Sequence, residues 1–243
     1  MCARTQVTRA ASVGIMGARM KATRLLLVRH GATQLTAEDR FSGAVGVDLS
    51  DDGRAQVRGL ARRLAGDPIS AVYCSPLSRT IETATILAEP HGLPLAHREG
   101  LREISHGRWE GLTRPEVEHR FPEEYAAWEA DPFTFAPSGG ESGVGVLARA
   151  LPVVRELVVA HAGQTVIVVS HKATLRILIS SLLGFDARGY RDRLDQSPAC
   201  LNVVDFKDPV RARLMLFNDV SHYQDQPRRS TGNLSKWWDP AGK

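Results

Sequence analysis

Two basic side chains stand together at the end of an apolar run near the start of the chain. Arg29 and His30 follow the run at 25–28, and Gly31 comes directly after them. This pattern predicts a buried strand whose carboxyl end carries both side chains, and in open α/β sheets ligands bind at that end. A guanidinium suits a phosphate, and a neutral imidazole can accept a phosphoryl group near pH 7. The segment therefore predicts a site for phosphoryl chemistry.

Three more side chains suited to this chemistry lie downstream. Arg79 follows Ser75-Pro76, which predicts a helix start, and an arginine in a first turn is favourable only where an anion binds. His171 follows the β-branched run at 165–169, which predicts a central strand. Glu103 lies in a stretch that reads as loop. A histidine after a strand is by itself more often a core residue, so the prediction depends on these residues together.

Hydrophobic periodicity predicts strands and helices that alternate along the chain. The predicted strands cover residues 25–28, 71–74, 165–169, Leu201–Phe206 and 213–217. Helices are predicted after the candidate N-cap Ser50, from Ser75-Pro76, and over residues 115–130, 144–160 and 175–183. The alternation indicates an α/β fold, a single-domain three-layer α/β/α arrangement with a mostly parallel central sheet.

The formal net charge of +4 lies at the ends of the 243-residue chain. Residues 1–23 carry +4 and residues 224–243 carry +2, which leaves the remainder at −2. A slightly acidic domain has no electrostatic reason to bind nucleic acid. We expect a flexible or misassigned leader at 1–23, a folded domain at 24–223 and a disordered basic tail at 224–243.

Several other classes of protein are disfavoured by the sequence. No apolar stretch approaches the roughly 18 residues that span a bilayer. Cys2, Cys74 and Cys200 have no metal-type or disulfide-type spacing, which favours a reducing, cytoplasmic location. The chain has no zinc-protease, EF-hand or nucleotide-loop motif, so no metal or cofactor is expected.

Four segments in order resemble the motifs of the histidine phosphatase superfamily, also called the phosphoglycerate mutase-like family. They read LLVRHGAT at 26–33, CSPLSRTIETA at 74–84, LREISHGRWEG at 101–111 and VVSH at 168–171. The resemblance runs from about Arg24 to Tyr223, and it implies a phosphoglycerate mutase-like fold acting on a small phosphorylated metabolite.

The resemblance also implies roles for individual residues. His30 is similar to the nucleophile that becomes a phosphohistidine, and Arg29, Arg79 and His171 are similar to the groups that bind the phosphoryl oxygens. Glu103 is similar to the proton donor. A carboxyl donates a proton near neutral pH only where burial or a nearby anion favours its protonated form, and a bound phosphate is expected to supply that effect.

A second set of residues is expected at the substrate mouth. Its members are Thr33, Thr36, Ser42, Gly43, His106 and Lys172. The family often has asparagine where this chain has Thr36, and many members have glycine where it has Lys172. The lysine either meets a second acidic group on the substrate or points to solvent.

Three functions remain open from the sequence. The interval from Glu103 to His171 is rich in acids and lacks the paired arginines of cofactor-dependent mutases, which favours a metal-independent phosphatase. A cofactor-dependent phosphoglycerate mutase is the first alternative. A catalytically silent phosphate-binding module is the second, and it is disfavoured because all five central residues are present.

Overall fold

A six-stranded mixed sheet with helices on both faces forms the described part of the chain. The structure is a computed structural model that describes residues 22–34, 40–43 and 46–223. The strands are β1 (Thr23–Arg29), β2 (Ile69–Cys74), β3 (Leu95–His97), β4 (Thr165–Ser170), β5 (Leu201–Phe206) and β6 (Ala212–Asp219). The α-helices are α1 (Asp51–Leu64), α2 (Ser78–Ala88), α3 (Arg114–Arg120), α4 (Pro122–Ala130), α5 (Gly143–Ala160), α6 (Lys172–Leu182) and α7 (Tyr190–Arg193).

Three predictions from the sequence concern residues that the structure does not describe. The leader up to residue 21, Thr36 and the tail from residue 224 lie outside the described residues. What the sequence indicates for them therefore stays a prediction.

The strand order is β3-β2-β4-β1-β5-β6. The first four strands are parallel, and β5 and β6 run antiparallel to their neighbours. In the register of β1 with β4, Arg29 lies opposite Ser170. The α/β architecture and the mostly parallel sheet are confirmed, and the carboxyl ends of β1, β2 and β4 meet at one edge of the sheet.

The two faces of the sheet are covered by different helices. Leu26 and Val28 of β1 pack in a cluster with α1 and α2, whereas Leu25 and Leu27 pack with α5 and α6. Residues 166–169 of β4 alternate in the same way. Each such buried aliphatic side chain contributes about 1.5–3 kcal/mol by leaving water, so this alternation fixes which side of the sheet each helix covers.

A smaller aromatic core lies beside the sheet. Its buried members are Phe41, Trp109, Val117, Tyr125 and Trp128. Backbone hydrogen bonds from Phe41 N to Leu112 O (3.0 Å) and from Gly111 N to Phe41 O (2.8 Å) join residues 40–43 to the loop before α3. This core therefore supports the segment that contains Ser42 and Gly43.

The predicted helix over residues 115–130 is wrong as a single element. It is divided into α3 and α4 at Phe121, whose φ of −137° and ψ of 57° are not helical. The physical reason is Pro122, because the ring of a proline disfavours the helical conformation in the residue before it.

Other element boundaries also differ from the predictions. α2 begins at Ser78 rather than Ser75, because the Ser75 amide still donates to Val169 O at 3.1 Å and continues the sheet. α6 begins at Lys172, three residues earlier than expected. Strand β3 was not predicted, since its three residues are too few for a periodic signal.

The predicted cap of α1 is confirmed, and it ties this helix to the loop after β1. Ser50 Oγ accepts a hydrogen bond from Gly53 N at 3.1 Å, and Ser50 N donates to Ala32 O at 2.9 Å.

Among the described residues, no helix combines the length and apolar character needed to cross a membrane.

Gly53 permits the close approach of α1 to that loop. A Cβ atom at Gly53 would lie 2.1 Å from Ala32 O, whereas one at Gly66, after the same helix, would meet nothing within 4 Å. We expect Gly53→Ala to lower the free energy of unfolding by about 1–3 kcal/mol through overpacking, although alanine is the better helix former. Urea unfolding measures this. Gly66→Ala is the matched control, and equal stability of the two variants would contradict the prediction.

Candidate active site

The ends of β1 and β4 bring two histidines together. His30 follows β1, and its amide donates to Ser170 O at 3.1 Å, so it lies beside His171. The centroids of the two rings are 5.3 Å apart, with an interplanar angle of 60°. Both residues are buried. The parallel register thus joins residues that are far apart in the sequence.

A hydrogen bond sets the tautomer of His30. Its Nδ1 lies 2.8 Å from Gly31 O, and since a carbonyl oxygen only accepts, Nδ1 carries the proton. Nε2 therefore keeps its lone pair. Burial lowers the pKa of His30 well below its ordinary value, and the charges of Arg29 and Arg79 lower it further. The ring is neutral at pH 7, the state in which an imidazole is a nucleophile.

Two buried arginines lie within electrostatic reach of His30, and main-chain carbonyls hold both of them. Arg29 Nη1 donates to Gln196 O at 2.6 Å, and Arg79 Nη2 donates to Gly43 O at 2.8 Å. Because a carbonyl oxygen is neutral, these acceptors satisfy guanidinium donors of Arg29 and Arg79 without cancelling the positive charge of either side chain. Within the described residues, the buried Nε of Arg29 has no hydrogen-bond partner. Buried positive charge of this kind suits an anionic ligand.

His171 is held by a serine at the end of β2. Its Nε2 lies 2.8 Å from Ser75 Oγ, and its buried Nδ1 has no hydrogen-bond partner in the described part of the chain. Burial, followed by the charges of Arg79 and His30, lowers the pKa of His171 well below its ordinary value. The second histidine is therefore also neutral at pH 7.

The carboxylate of Glu103 lies at the N-terminus of α6, the helix that begins directly after His171. Its Oε2 accepts from Ala173 N at 3.2 Å, while Oε1 accepts from Thr174 N at 3.2 Å and from Thr174 Oγ1 at 3.1 Å. The amide of Ile104 adds a fourth hydrogen bond at 3.0 Å. First-turn amides are natural partners for a carboxylate, and they fix the orientation of Glu103 beside the histidines.

The structure places three of the residues expected at the mouth as follows. Gly43 has a φ of +40°, and a Cβ atom there would lie 2.1 Å from Glu110 Oε1, so glycine is required where Arg79 is held. Thr33 is buried and forms an isolated bridge with Leu49. Ser42 is half-buried.

His106 and Lys172 have partners in the protein. The His106 ring meets Phe41 edge-on at 4.8 Å, and burial lowers its pKa. Lys172 Nζ lies 3.6 Å from Asp195 Oδ1, an oxygen that also accepts from Arg176 Nη2 at 2.8 Å. The lysine expected to face substrate or solvent is thus part of an ion pair.

A buried pair of amides that supports Arg29 was not predicted. Gln196 and Asn202 exchange side-chain hydrogen bonds of 2.9 and 2.8 Å, and Asn202 also donates to Leu27 O at 3.0 Å. Both side chains are buried. The pair fixes the turn whose carbonyl receives Arg29. The sequence at 195–202 resembles an ordinary polar turn, so no local signal marked these residues.

The α/β fold brings two buried histidines, two buried arginines and a carboxylate into one site whose chemistry suits a phosphoryl group. No group of three or more His, Cys, Asp or Glu side chains able to hold a metal ion occurs in the part of the chain that the structure describes. The chain belongs to the histidine phosphatase superfamily (branch 1), whose family model matches residues 25–220.

Individual relatives include proteins that are named as phosphatases. Phosphoserine phosphatase 1 of Hydrogenobacter thermophilus is 36% identical over 163 residues, which are 67% of this chain and 77% of that protein. The glucosyl-3-phosphoglycerate phosphatase of Mycolicibacterium vanbaalenii is 37% identical over 172 residues, 68% of this chain and 76% of that one. The solved structure of Bacillus stearothermophilus YhfR has a TM-score of 0.77 at 31% identity, covering 83% and 99% of the two chains. The chain is a phosphoric monoester hydrolase of the histidine phosphatase type.

The buried histidines predict how stability depends on pH. For His30 and His171 the folded-state pKa lies below the unfolded value of about 6.5, so below that pH the unfolded chain binds more protons. The free energy of unfolding should fall as pH decreases from 7 to 5, by up to about 1.4 kcal/mol per pH unit for each such histidine. Urea unfolding across this range checks it. His30→Asn should reduce the slope, and an unchanged slope would contradict the assignment.

Loss of Asn202 from the buried amide pair should weaken the hydrogen bond by which Gln196 O holds Arg29. Asn202→Ala leaves Gln196 and Leu27 O without their partner, which is expected to cost about 1–3 kcal/mol of stability. We also expect weaker inhibition by inorganic phosphate, because Arg29 loses its fixed acceptor. Thermal unfolding and phosphate inhibition measure the two effects. Loss of stability with unchanged phosphate affinity would show that the pair does not act on Arg29.

Proposed function

We propose that this protein hydrolyses small phosphate monoesters without a metal ion, through a phosphohistidine on His30. The observation that carries the proposal is the state of this residue. His30 is buried and neutral, has its Nε2 lone pair available, and lies within the electrostatic influence of Arg29 and Arg79. A nucleophile in a positively charged site is what transfer from a phosphate monoester requires.

The first step forms the phosphohistidine. His30 Nε2 attacks phosphorus in line, so that the N–P bond forms as the bond from phosphorus to the ester oxygen breaks. Arg29, Arg79 and His171 donate to the non-bridging oxygens. Glu103 acts as the general acid and gives a proton to the departing oxygen.

The second step releases phosphate. Glu103, now a carboxylate, accepts a proton from a water molecule as that water attacks phosphorus. The N–P bond breaks, its electron pair returns to His30 Nε2, and inorganic phosphate leaves. Both residues are then in their starting states, so the cycle consumes one water molecule and needs no cofactor.

Hydrolysis is preferred over mutase activity partly because two of the arginines between Glu103 and His171 are paired with carboxylates. Arg108 pairs with Glu124 at 2.7 Å, and Arg149 binds Glu141 through two hydrogen bonds of 2.8 Å. Arginines committed to carboxylates in this way are poor clamps for a reorienting bisphosphate intermediate.

The proposed substrates are small phosphorylated metabolites of the kind that the named relatives use. Phosphoserine and glucosyl-3-phosphoglycerate are the first two candidates, because the relatives are named for them. A reducing, cytoplasmic location is consistent with Cys74 and Cys200, which are buried free thiols.

A substrate panel tests the proposal. The purified protein is incubated with chelator and either phosphoserine, glucosyl-3-phosphoglycerate, a cobalamin nucleotide-loop phosphate or p-nitrophenyl phosphate, and free phosphate is measured. We expect release that survives chelation and falls by at least about 10³-fold in His30→Ala, since no other group supplies the nucleophile. His119→Ala, at an exposed position on α3, is the matched control.

Two results would contradict the proposal. Conversion of 3- to 2-phosphoglycerate in the presence of bisphosphoglycerate, without phosphate release, would assign a mutase. Phosphate binding without turnover of any ester would assign a binding module.

Trapping of an acid-labile, alkali-stable phosphoprotein in the wild type but not in His30→Ala would support the covalent intermediate.

A further inference from the structure

One arginine outside the pocket holds the segment that carries Glu103. Residues 102–106 form neither helix nor strand, so no regular hydrogen-bond ladder fixes their backbone. Arg149 of α5 reaches this segment and the turn before it, and donates to three main-chain acceptors. Gly100 O and Arg102 O each accept at 2.8 Å, and Glu103 O accepts at 3.1 Å.

All five N–H groups of Arg149 are used. Three go to the carbonyls, and the other two go to Glu141, from Nε to Oε1 and from Nη2 to Oε2, both at 2.8 Å. The side chains of Arg149 and Glu141 are only 24% and 26% exposed. A bidentate carboxylate fixes the plane of a guanidinium, which then presents its remaining donors in one set direction.

The carboxylate that orients Arg149 belongs to the same assembly. Glu141 N donates to Ser105 O at 2.8 Å, two residues after Glu103. The segment also lies directly against α5, since a Cβ atom at Gly100 would be 2.5 Å from Arg149 O. The backbone around Glu103 is thus held mainly by α5, with one further hydrogen bond from Thr174 Oγ1 of α6 to Arg102 O at 2.7 Å, while its carboxylate is held by α6.

We infer that Arg149, oriented by Glu141, is the positioning residue for proton transfer by Glu103. It fixes the main chain so that the carboxyl group lies within reach of the departing ester oxygen. This inference rests on the proposed function, in which Glu103 is the proton donor. Arg149 itself touches no reacting atom.

Two esters whose leaving groups differ in their need for a proton can show whether Arg149 positions Glu103 or only stabilises the fold. p-Nitrophenolate departs readily without a proton, whereas phenolate is more basic and gains more from a donor. The quantity to compare is kcat/KM, because it covers only the steps up to departure of the leaving group. Loss of donor placement should therefore slow phenyl phosphate much more than p-nitrophenyl phosphate.

The experiment compares both esters with Arg149→Met. We expect kcat/KM to fall about 10- to 100-fold for phenyl phosphate and less than about threefold for p-nitrophenyl phosphate. Arg149→Lys keeps the charge but cannot serve five acceptors, so it should fall between wild type and Arg149→Met. Arg155→Met, at an exposed position on the same helix, is the matched control and should leave both values unchanged.

Measurement of Glu103→Gln in parallel distinguishes failure of the proposed mechanism from failure of the inference about Arg149. If it slows both esters equally, Glu103 is not the donor, and the proposed mechanism and this inference both fail. If it discriminates between the esters but a folded Arg149→Met with normal phosphate inhibition does not, only the inference is overturned. Should Arg149→Met fail to fold, Glu141→Gln decides in its place, since it removes the charged partner of Arg149 and should show the same discrimination to a smaller degree.

Discussion

The parallel pairing of β1 with β4 is the constraint on which the site depends. Because Arg29 lies opposite Ser170, the next residue of each strand, His30 and His171, leaves the sheet at the same edge. A slip of one residue would move the buried side chains of a strand to the other face. The alternation that packs α1 and α2 on one face and α5 and α6 on the other opposes such a slip, so core packing and site geometry are fixed by the same register.

Main-chain carbonyls are the shared means of holding the positive charges of this site. Arg29 and Arg79 are each anchored by a carbonyl oxygen. A carboxylate in the same places would cancel the charge that an anionic ligand needs, whereas a carbonyl satisfies the donor and leaves the charge in place. The carboxylate of Glu103 is in turn held by backbone amides of α6.

Much of the fold and of the candidate site could be predicted, because the relevant signals are local in sequence. A strand followed at once by Arg29 and His30 needs only neighbouring residues to be recognised. Gln196 could not be predicted as the anchor of Arg29, because the two residues are 167 positions apart and the contact uses a backbone oxygen that every residue has. The same holds for Arg149, because three of its five acceptors are main-chain carbonyls. The break at Phe121 was in principle readable from Pro122, but the helical periodicity on both sides concealed it.

The partner of His30 Nδ1 has a consequence for the energy of a phosphorylated ring. Gly31 O is a neutral acceptor, and unlike a carboxylate it does little to stabilise extra positive charge on the imidazole. The charges of Arg29 and Arg79 also disfavour positive charge on the ring itself, while in the proposed mechanism they bind the oxygens of the phosphoryl group. Such a ring is a good leaving group, which gives the phosphoryl group a high transfer potential toward water. For the mechanism proposed above, this arrangement favours a short-lived phosphohistidine over one that is stored.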